Sequence, residues 1–163
     1  MSMVVNDWQM SGIATFSGGA PLGVGFAQVV ATDITGSPTD GARIVVTGNP
    51  VLPRGDRTFS RYFDTTVFAA PAVGTIGNSA RTVIRGPGTH NWDLTAYKSF
   101  AYKERVRTQF RAEFYNAFNH TQWTSLDTTA RFDAAGRQVN TQFGQVTAAR
   151  SARRVQLVLR VTF

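Results

Sequence analysis

The chain of 163 residues contains no cysteine and only two histidines. Without cysteine, it can form no disulfide bond and carry out no thiolate chemistry. His90 and His120 lack partners at the spacing of metal ligands, and no serine lies in a sequence that resembles a nucleophile elbow. We therefore predict that the protein has no catalytic residue, no metal site and no cofactor, and that it is not an enzyme.

Long apolar runs are missing as well. No run approaches the length of about 20 apolar residues that a transmembrane helix requires. The first residues, Met1–Trp8, lack the basic and apolar regions of a signal peptide. Helical periodicity is nearly absent, and Gly, Thr, Ser, Asn and Pro interrupt the chain throughout. These features predict an all-β protein.

Acidic residues are scarce relative to basic ones. The 17 lysines and arginines outnumber the 10 aspartates and glutamates, which gives a formal net charge of +7. Such a balance indicates an anionic partner, which could be a nucleic acid, lipid headgroups or an acidic ligand. The arginines are scattered along the chain rather than clustered, so we expect no nucleic-acid partner.

The last residues show the clearest pattern in the chain. Side chains alternate between the two sides of a strand, and one side of the C-terminal segment is entirely apolar: Val155, Leu157, Leu159, Val161 and Phe163. Two interpretations are open at this point. The segment is either the closing strand of an outer-membrane β-barrel, with its apolar side against lipid, or a half-buried strand of a soluble sheet.

Three other segments alternate in the same way, so we predict four strands over about 4–16, 91–101, 105–118 and 153–163. The second and third are joined by a tight polar turn around residues 102–104 and should form an antiparallel hairpin. Lys98 falls on the apolar side of the second strand, near its end, where a long side chain can reach out to a headgroup.

The remaining connections are long. Residues 17–90 and 119–152 lack sustained alternation, although strands within 22–34 and 43–47 are compatible with short apolar stretches there. Structureless loops of this length are uncommon in a compact soluble domain. Outer-membrane barrels, in contrast, have short turns at one end and long extracellular loops at the other. The asymmetry favours the barrel.

Most charged residues of the third and fourth strands share the polar parity. In a barrel this side would face the lumen, and its candidate residues are Arg107, Arg111, Glu113, Arg154 and Arg160. A salt-bridge ladder between neighbouring strands would explain the same residues. Aromatic residues near the strand ends are candidates for the girdles at the two membrane interfaces, namely Trp8, Trp92, Phe100 and Phe118.

Several segments resemble the C-terminal barrel region of TonB-dependent outer-membrane receptors, and in particular the Oar-like branch, whose members carry a carboxypeptidase-regulatory-like domain. The most specific is Gln109–His120, with the sequence QFRAEFYNAFNH, which is similar to the penultimate strand of that family and the start of its last loop. The other similar segments, in the expected order, are Trp8–Ile13, Gly77–Arg81, Arg85–Gly88, Asn91–Leu94 and Phe143–Thr147.

This resemblance implies an up-and-down transmembrane β-barrel of about 22 strands, of which the chain supplies about the last four. The plug domain, the TonB box and the N-terminal domain would be absent from residues 1–163. The implied function is energised uptake of an unidentified bulky nutrient across the bacterial outer membrane. Strand 153–163 would run inward, with its terminal Phe163 read by the barrel-assembly machinery and the long loops outside.

The implied partners are outer-membrane lipid, the assembly machinery, the nutrient and, through the missing N-terminal part alone, TonB. We do not expect the chain to work alone. A soluble, basic, β-rich protein that binds an anionic partner is the alternative from another class. Adhesion or signalling by the parent receptor is a third possibility.

Overall fold

The computed structural model describes residues 7–37, 40–102 and 106–163, with the side chains of residues 101 and 102 left aside. No helix within these ranges is long and apolar enough to cross a membrane. Apart from a short 3₁₀ turn at Arg54–Asp56, the regular structure is all β. In chain order the strands are β1 (Trp8–Ser17), β2 (Pro21–Leu22), β3 (Gly25–Gln28), β4 (Val45–Val46), β5 (Phe68–Ala69), β6 (Ile84–Arg85), β7 (Thr89–Tyr102), β8 (Val106–Tyr115), β9 (Trp123–Leu126), β10 (Thr129–Phe132), β11 (Val146–Ala149) and β12 (Arg154–Thr162).

The long strands form a four-stranded antiparallel sheet in the order β1-β7-β8-β12. The register is continuous, because Leu94 lies opposite both Gly12 and Phe114, and Phe114 lies opposite Val155. The sheet is open, with β1 and β12 at its edges. It belongs to one compact unit of the chain, made of residues 1–18, 88–122 and 150–163.

The predicted strands coincide with these four strands to within a few residues. The start of the first predicted strand, residues 4–6, lies outside the described residues, and so do residues 103 and 104 of the predicted turn and residue 105, the predicted start of the third strand. Asp7 has a backbone φ of 64° and does not belong to β1, which starts at Trp8. Strand β7 begins earlier than predicted, at Thr89.

The predicted strand over 105–118 is too long, because β8 ends at Tyr115. Asn116 has a φ of 52° and Asn119 a φ of 53°, a left-handed conformation that asparagine tolerates better than most residues. The N–H of Asn119 donates to the carbonyl of Asn116 at 2.8 Å, which closes a turn. Phe118 therefore lies in a turn, although its parity would also fit a continued strand.

The second compact unit comprises Gly19–Pro87 and Trp123–Ala149, the two long connections. Its strands form separate pairs, antiparallel in β2–β6, β4–β5 and β9–β11, and parallel in β3–β10. Strands β3 and β4 fall within the segments 22–34 and 43–47, where the sequence is compatible with strands.

The long connections are folded, although their sequence lacks sustained alternation. They enclose a hydrophobic core in which Phe63, Phe68 and Phe143 pack edge to face, with ring centroids 5.4–5.8 Å apart. The strands around this core span only two to four residues, which is too short for a period of two to be visible in the sequence. Folded structure was therefore hidden behind the irregular pattern.

Candidate functional site: the two faces of the sheet

The register of the sheet brings most of its apolar side chains onto one side. We call this side the apolar face; it is formed by Trp8, Met10, Ala14 and Phe16 of β1, Trp92, Leu94, Ala96 and Phe100 of β7, Phe110, Ala112 and Phe114 of β8, and Val155, Leu157, Leu159 and Val161 of β12. The four predicted lipid-facing residues of β12 thus share one surface. Phe163 follows the strand and is 97% exposed.

Much of the apolar face is open. Met10 is 79% exposed, Leu157 64% and Leu159 66%. The hydrophobic core of the described residues consists entirely of side chains from Gly19–Pro87 and Trp123–Ala149. A contiguous exposed apolar surface marks a site that contacts a membrane or another protein. The sheet thus has a dry side for which the described chain supplies no core.

The opposite side, the polar face, carries all five charged residues that were predicted to share a side: Arg107, Arg111, Glu113, Arg154 and Arg160. Arg111 Nη1 lies 3.5 Å from Glu113 Oε1, and the Tyr115 hydroxyl donates to Glu113 Oε2 at 3.0 Å. The guanidinium of Arg154 lies 5.6 Å from the centre of the Tyr115 ring. Because Arg111 and Glu113 are both on β8, this ion pair runs along one strand and does not bridge two.

Polar side chains continue toward the turn end of the polar face, which is the end near Tyr102 and Val106. The hydroxyl of Tyr97 accepts hydrogen bonds from Gln109 Nε2 at 2.6 Å and from Ser99 Oγ at 2.9 Å. Arg107 and Arg160 line a concavity of about 600 Å³ beside this group. This face is therefore suited to water and polar groups, and not to lipid.

Lys98 is a cation on the apolar face, and the structure buries it. Its side chain is 1% exposed. The ammonium lies 4.9 Å from the centre of the Trp8 ring and 5.0 Å from that of Phe100. The sequence predicted a side chain that reaches out to a headgroup. Instead, two of the predicted interface aromatics cover it, which offsets its charge by cation–π attraction.

The other two predicted interface aromatics meet at the opposite end of the sheet, the loop end. Trp92 and Phe118 pack edge to face at 5.9 Å. The cluster continues through Phe16, His90 and His120, whose ring centroids lie 4.8–6.3 Å from their neighbours. The four predicted aromatics are thus divided between the two ends of the strands.

Two amides that the sequence did not single out hold the loop end together. The side chain of Gln122 accepts from the N–H of His90 at 2.8 Å and donates to the carbonyl of His90. That of Asn116 likewise accepts from the N–H of His120 and donates to its carbonyl, at 3.0 and 2.9 Å. Both amides are buried, so each satisfies backbone groups that the strand ends leave unpaired. In the sequence, the feature that could have indicated this role is the position of both residues between a strand and a loop.

Within the connections, the side-chain amide of Asn78 satisfies backbone groups in the same way. Its amide accepts from the N–H of Val46 at 2.7 Å and donates to the carbonyl of Val46 at 3.0 Å. The neighbouring Gly77 has a φ of +81°. The segment Gly77–Arg81, noted above for its resemblance alone, therefore has a structural role beside β4.

Carboxylates fix two exposed turns of the connections. The backbone N–H of Arg137, followed by the Arg137 side chain and the N–H of Ala135, lowers the pKa of Asp133 below its usual value. The hydroxyl and N–H of Thr66, and then Arg61, lower the pKa of Asp64. A depressed carboxyl pKa stabilises the folded state above the ordinary pKa, and this contribution is lost as the pH falls through the depressed value. Both turns should therefore loosen in acid.

His90 and His120 are neighbours, with ring centroids 5.0 Å apart. His90 Nε2 accepts a hydrogen bond from the indole N–H of Trp92 at 3.2 Å. Within the described ranges, no three residues among His, Cys, Asp and Glu are grouped so as to hold a metal ion. The pair is part of the aromatic cluster in this structure.

A family model described as an outer membrane beta barrel domain matches residues 1–156. No curated protein and no solved structure matches the chain.

Proposed function

Because the chain belongs to the outer membrane beta barrel domain family and lies in the outer membrane, we propose that it forms barrel wall of a TonB-dependent receptor that takes up a bulky nutrient. The apolar face contacts lipid and the polar face lines the lumen. The observation that carries this proposal is the exposed apolar face, for which the described residues supply no hydrophobic core. Lipid is the apolar medium that such a surface requires.

The strand connections support the same assignment. Strands β7 and β8 are joined through residues 103–105, whereas the other two connections run from Ser17 to Thr89 and from Tyr115 to Arg154. All four of those ends lie at the loop end of the sheet, as Ser17 is paired with Thr89 and Tyr115 with Arg154. Short turns on one side and long loops on the other are typical of outer-membrane barrels, whose long loops are extracellular.

The receptor class rests on the resemblance of Gln109–His120 to the penultimate strand of TonB-dependent receptors. In this proposal TonB contacts a plug-bearing part of the parent receptor, and the barrel-assembly machinery recognises β12 with Phe163. The chain binds and passes its nutrient without chemical conversion. The soluble anion-binding alternative does not fit a chain of an outer-membrane family.

A surface tag combined with cross-linking tests the proposal. An epitope inserted in the exposed turn at residues 134–136 of the native gene product should be accessible to antibody on intact cells, because the loops face outward. Formaldehyde cross-linking in the same cells should yield a complex with TonB, which is absent from cells that lack TonB. A matched tag inserted between Tyr102 and Val106, which the proposal places on the periplasmic side, should be hidden until the cells are opened.

Each outcome separates the alternatives. Recovery of the tagged protein from the soluble fraction without detergent would contradict the barrel. A surface tag without any TonB complex would contradict energised uptake, and would favour adhesion or signalling by the parent receptor.

A further inference from the structure

The unit formed by the two long connections contains a pocket of about 460 Å³, within the size range of small-molecule sites. Nothing described above uses it. Its lining combines apolar side chains with two arginines, and no acidic side chain is among the residues that line it.

Apolar and polar groups share the wall about equally. Phe63 and Ile84, both buried in the core of the unit, contribute alongside the partly buried Leu52 and Val83. Because these residues are anchored in a packed core, the wall exists before any ligand arrives. Binding an apolar group of modest size here would therefore cost the protein little conformational entropy.

Arg57 supplies a fixed positive charge at this wall. Its Nε donates to the carbonyl of Leu52 at 3.0 Å, and its Nη1 donates to the hydroxyl of Tyr62 at 3.3 Å. The guanidinium also lies 5.1 Å from the centre of the Tyr62 ring, which is itself buried. A guanidinium has five N–H donors in a rigid fork, so donors on Nη1 and Nη2 remain for a ligand once these two bonds are made.

A second guanidinium lies at the same pocket. Arg85 is exposed, and its Nη1 donates to the carbonyl of Gly19 at 3.3 Å. Both arginines donate these hydrogen bonds to neutral groups. No carboxylate in the lining therefore compensates their positive charge. Planar forks of this kind match carboxylate and phosphate oxygens in two-point contacts.

We propose that this pocket binds a small anionic amphiphile, with its carboxylate or phosphate at Arg57 and Arg85 and its apolar body against Phe63 and Ile84. The inference rests on the proposed function for its biological meaning, since a pocket in extracellular connections would capture such a compound ahead of uptake. The ligand is a single short chain or ring, because the cavity has no room for a lipid with several acyl chains.

Photoaffinity labelling tests the proposal on the native protein in outer-membrane vesicles shed from the cells that make it. The probes are an octanoate, an octyl phosphate and an octanol, each carrying a diazirine in its chain. We expect at least one of the two anions to label residues of the pocket, as read by mass spectrometry, and octanol to label them weakly. Labelling by octanoate points to a free carboxylate nutrient, and labelling by octyl phosphate to a phosphate headgroup.

Variants make the test specific. Arg57→Gln removes a charge-assisted bond and should reduce labelling about tenfold. Arg54→Gln is the matched control, because Arg54 is exposed in the 3₁₀ turn that directly precedes Arg57 and does not line the pocket. Thr82→Tyr fills the exposed rim of the pocket without touching the contacts of Arg57, and it should block labelling as well. An unchanged protease digestion pattern shows that each variant keeps its fold.

Equal labelling of the pocket by octanol and by both anions would overturn the proposal, and so would full labelling of Arg57→Gln. The outcome is independent of the receptor class. Pocket labelling without a TonB complex sustains the binding site and refutes uptake, whereas a TonB complex with an unlabelled pocket sustains uptake and refutes the site.

Discussion

Lys98 shows how a single residue is fitted to the apolar face. An uncovered lysine at the membrane midplane costs about 2–4 kcal/mol, and this cost falls to about 0–1 kcal/mol near the interfaces. Lys98 lies opposite Trp8 in the register, in the half of β7 nearer the turn end. The indole of Trp8 and the ring of Phe100 cover its ammonium. Position and cation–π attraction together make the charge tolerable.

A double-mutant cycle of Lys98→Met and Trp8→Leu should therefore show coupling. We expect a coupling energy of about 0.5–2 kcal/mol, the range of cation–π pairs, in guanidinium unfolding of the native protein in lipid vesicles followed by protease resistance. Trp92→Leu is the control, because Trp92 packs against Phe118 at the loop end. Additive effects of Lys98→Met and Trp8→Leu would show that the pair does not interact.

Among the strands, β12 shows the difference between its apolar and polar sides most clearly. Its side chains alternate between the apolar face and the polar face over the whole strand. Because residues 1–163 contain no cysteine, a single cysteine introduced in this strand has no background from this part of the protein. The environment of each residue of β12 can thus be probed separately.

We predict that Leu157→Cys and Leu159→Cys in outer-membrane vesicles react with a lipid-soluble maleimide and resist a charged, membrane-impermeant one. Gln156→Cys and Arg160→Cys should show the opposite preference, since they share the polar face. Each pair controls for the other, because neighbours differ only in direction. Equal reactivity along the strand would contradict the assignment of one face to lipid.

The short elements of the connections depend on backbone conformation. Gly77 has a φ of +81°, and a Cβ added there would lie 2.0 Å from the carbonyl oxygen of Arg43. Gly74 has a φ of +84°, but a Cβ there would meet nothing within 4 Å. The two glycines share the left-handed conformation and differ in the space around them.

Gly77→Ala should therefore be much more destabilising than Gly74→Ala. The left-handed conformation alone costs a non-glycine residue about 1–2 kcal/mol, and at Gly77 the clash with backbone is added. Faster proteolysis of the connections in intact cells is the measurement. Similar rates for both variants would mean that the segment beside β4 can shift freely.

For the whole molecule, closure is the governing constraint. The sheet leaves β1 and β12 as edges, and lipid cannot satisfy the exposed N–H and C=O groups of a sheet edge. In a membrane these strands need further strands beside them. The open sheet of this chain is therefore one part of a larger wall.

We predict that residues 1–163 alone do not insert as a stable monomer. In detergent they should show no heat-dependent shift in gel migration, the behaviour that marks a closed barrel. The native protein purified from outer membranes is the control and should show the shift. A heat-modifiable band of the size of this chain would contradict the prediction.

The sequence by itself determined which side chains lie on each face of the four-stranded sheet. Alternation is a local property, because the direction of a strand side chain depends only on the parity of its position. The apolar sets of β8 and β12, the side taken by Arg107 and Arg160, and the position of the hairpin could therefore be read directly. The most specific segment of the family resemblance, Gln109–His120, overlaps β8.

Tertiary structure alone decided what depends on residues far apart in the chain. Phe63, Phe68 and Phe143 build the core of the connections from two separate segments. No local periodicity in the sequence predicts that these residues contact each other. The same holds for the pocket at Arg57 and for the burial of Lys98, which depends on Trp8 from a neighbouring strand. Parity shows which way a side chain points, whereas only packing shows what it meets.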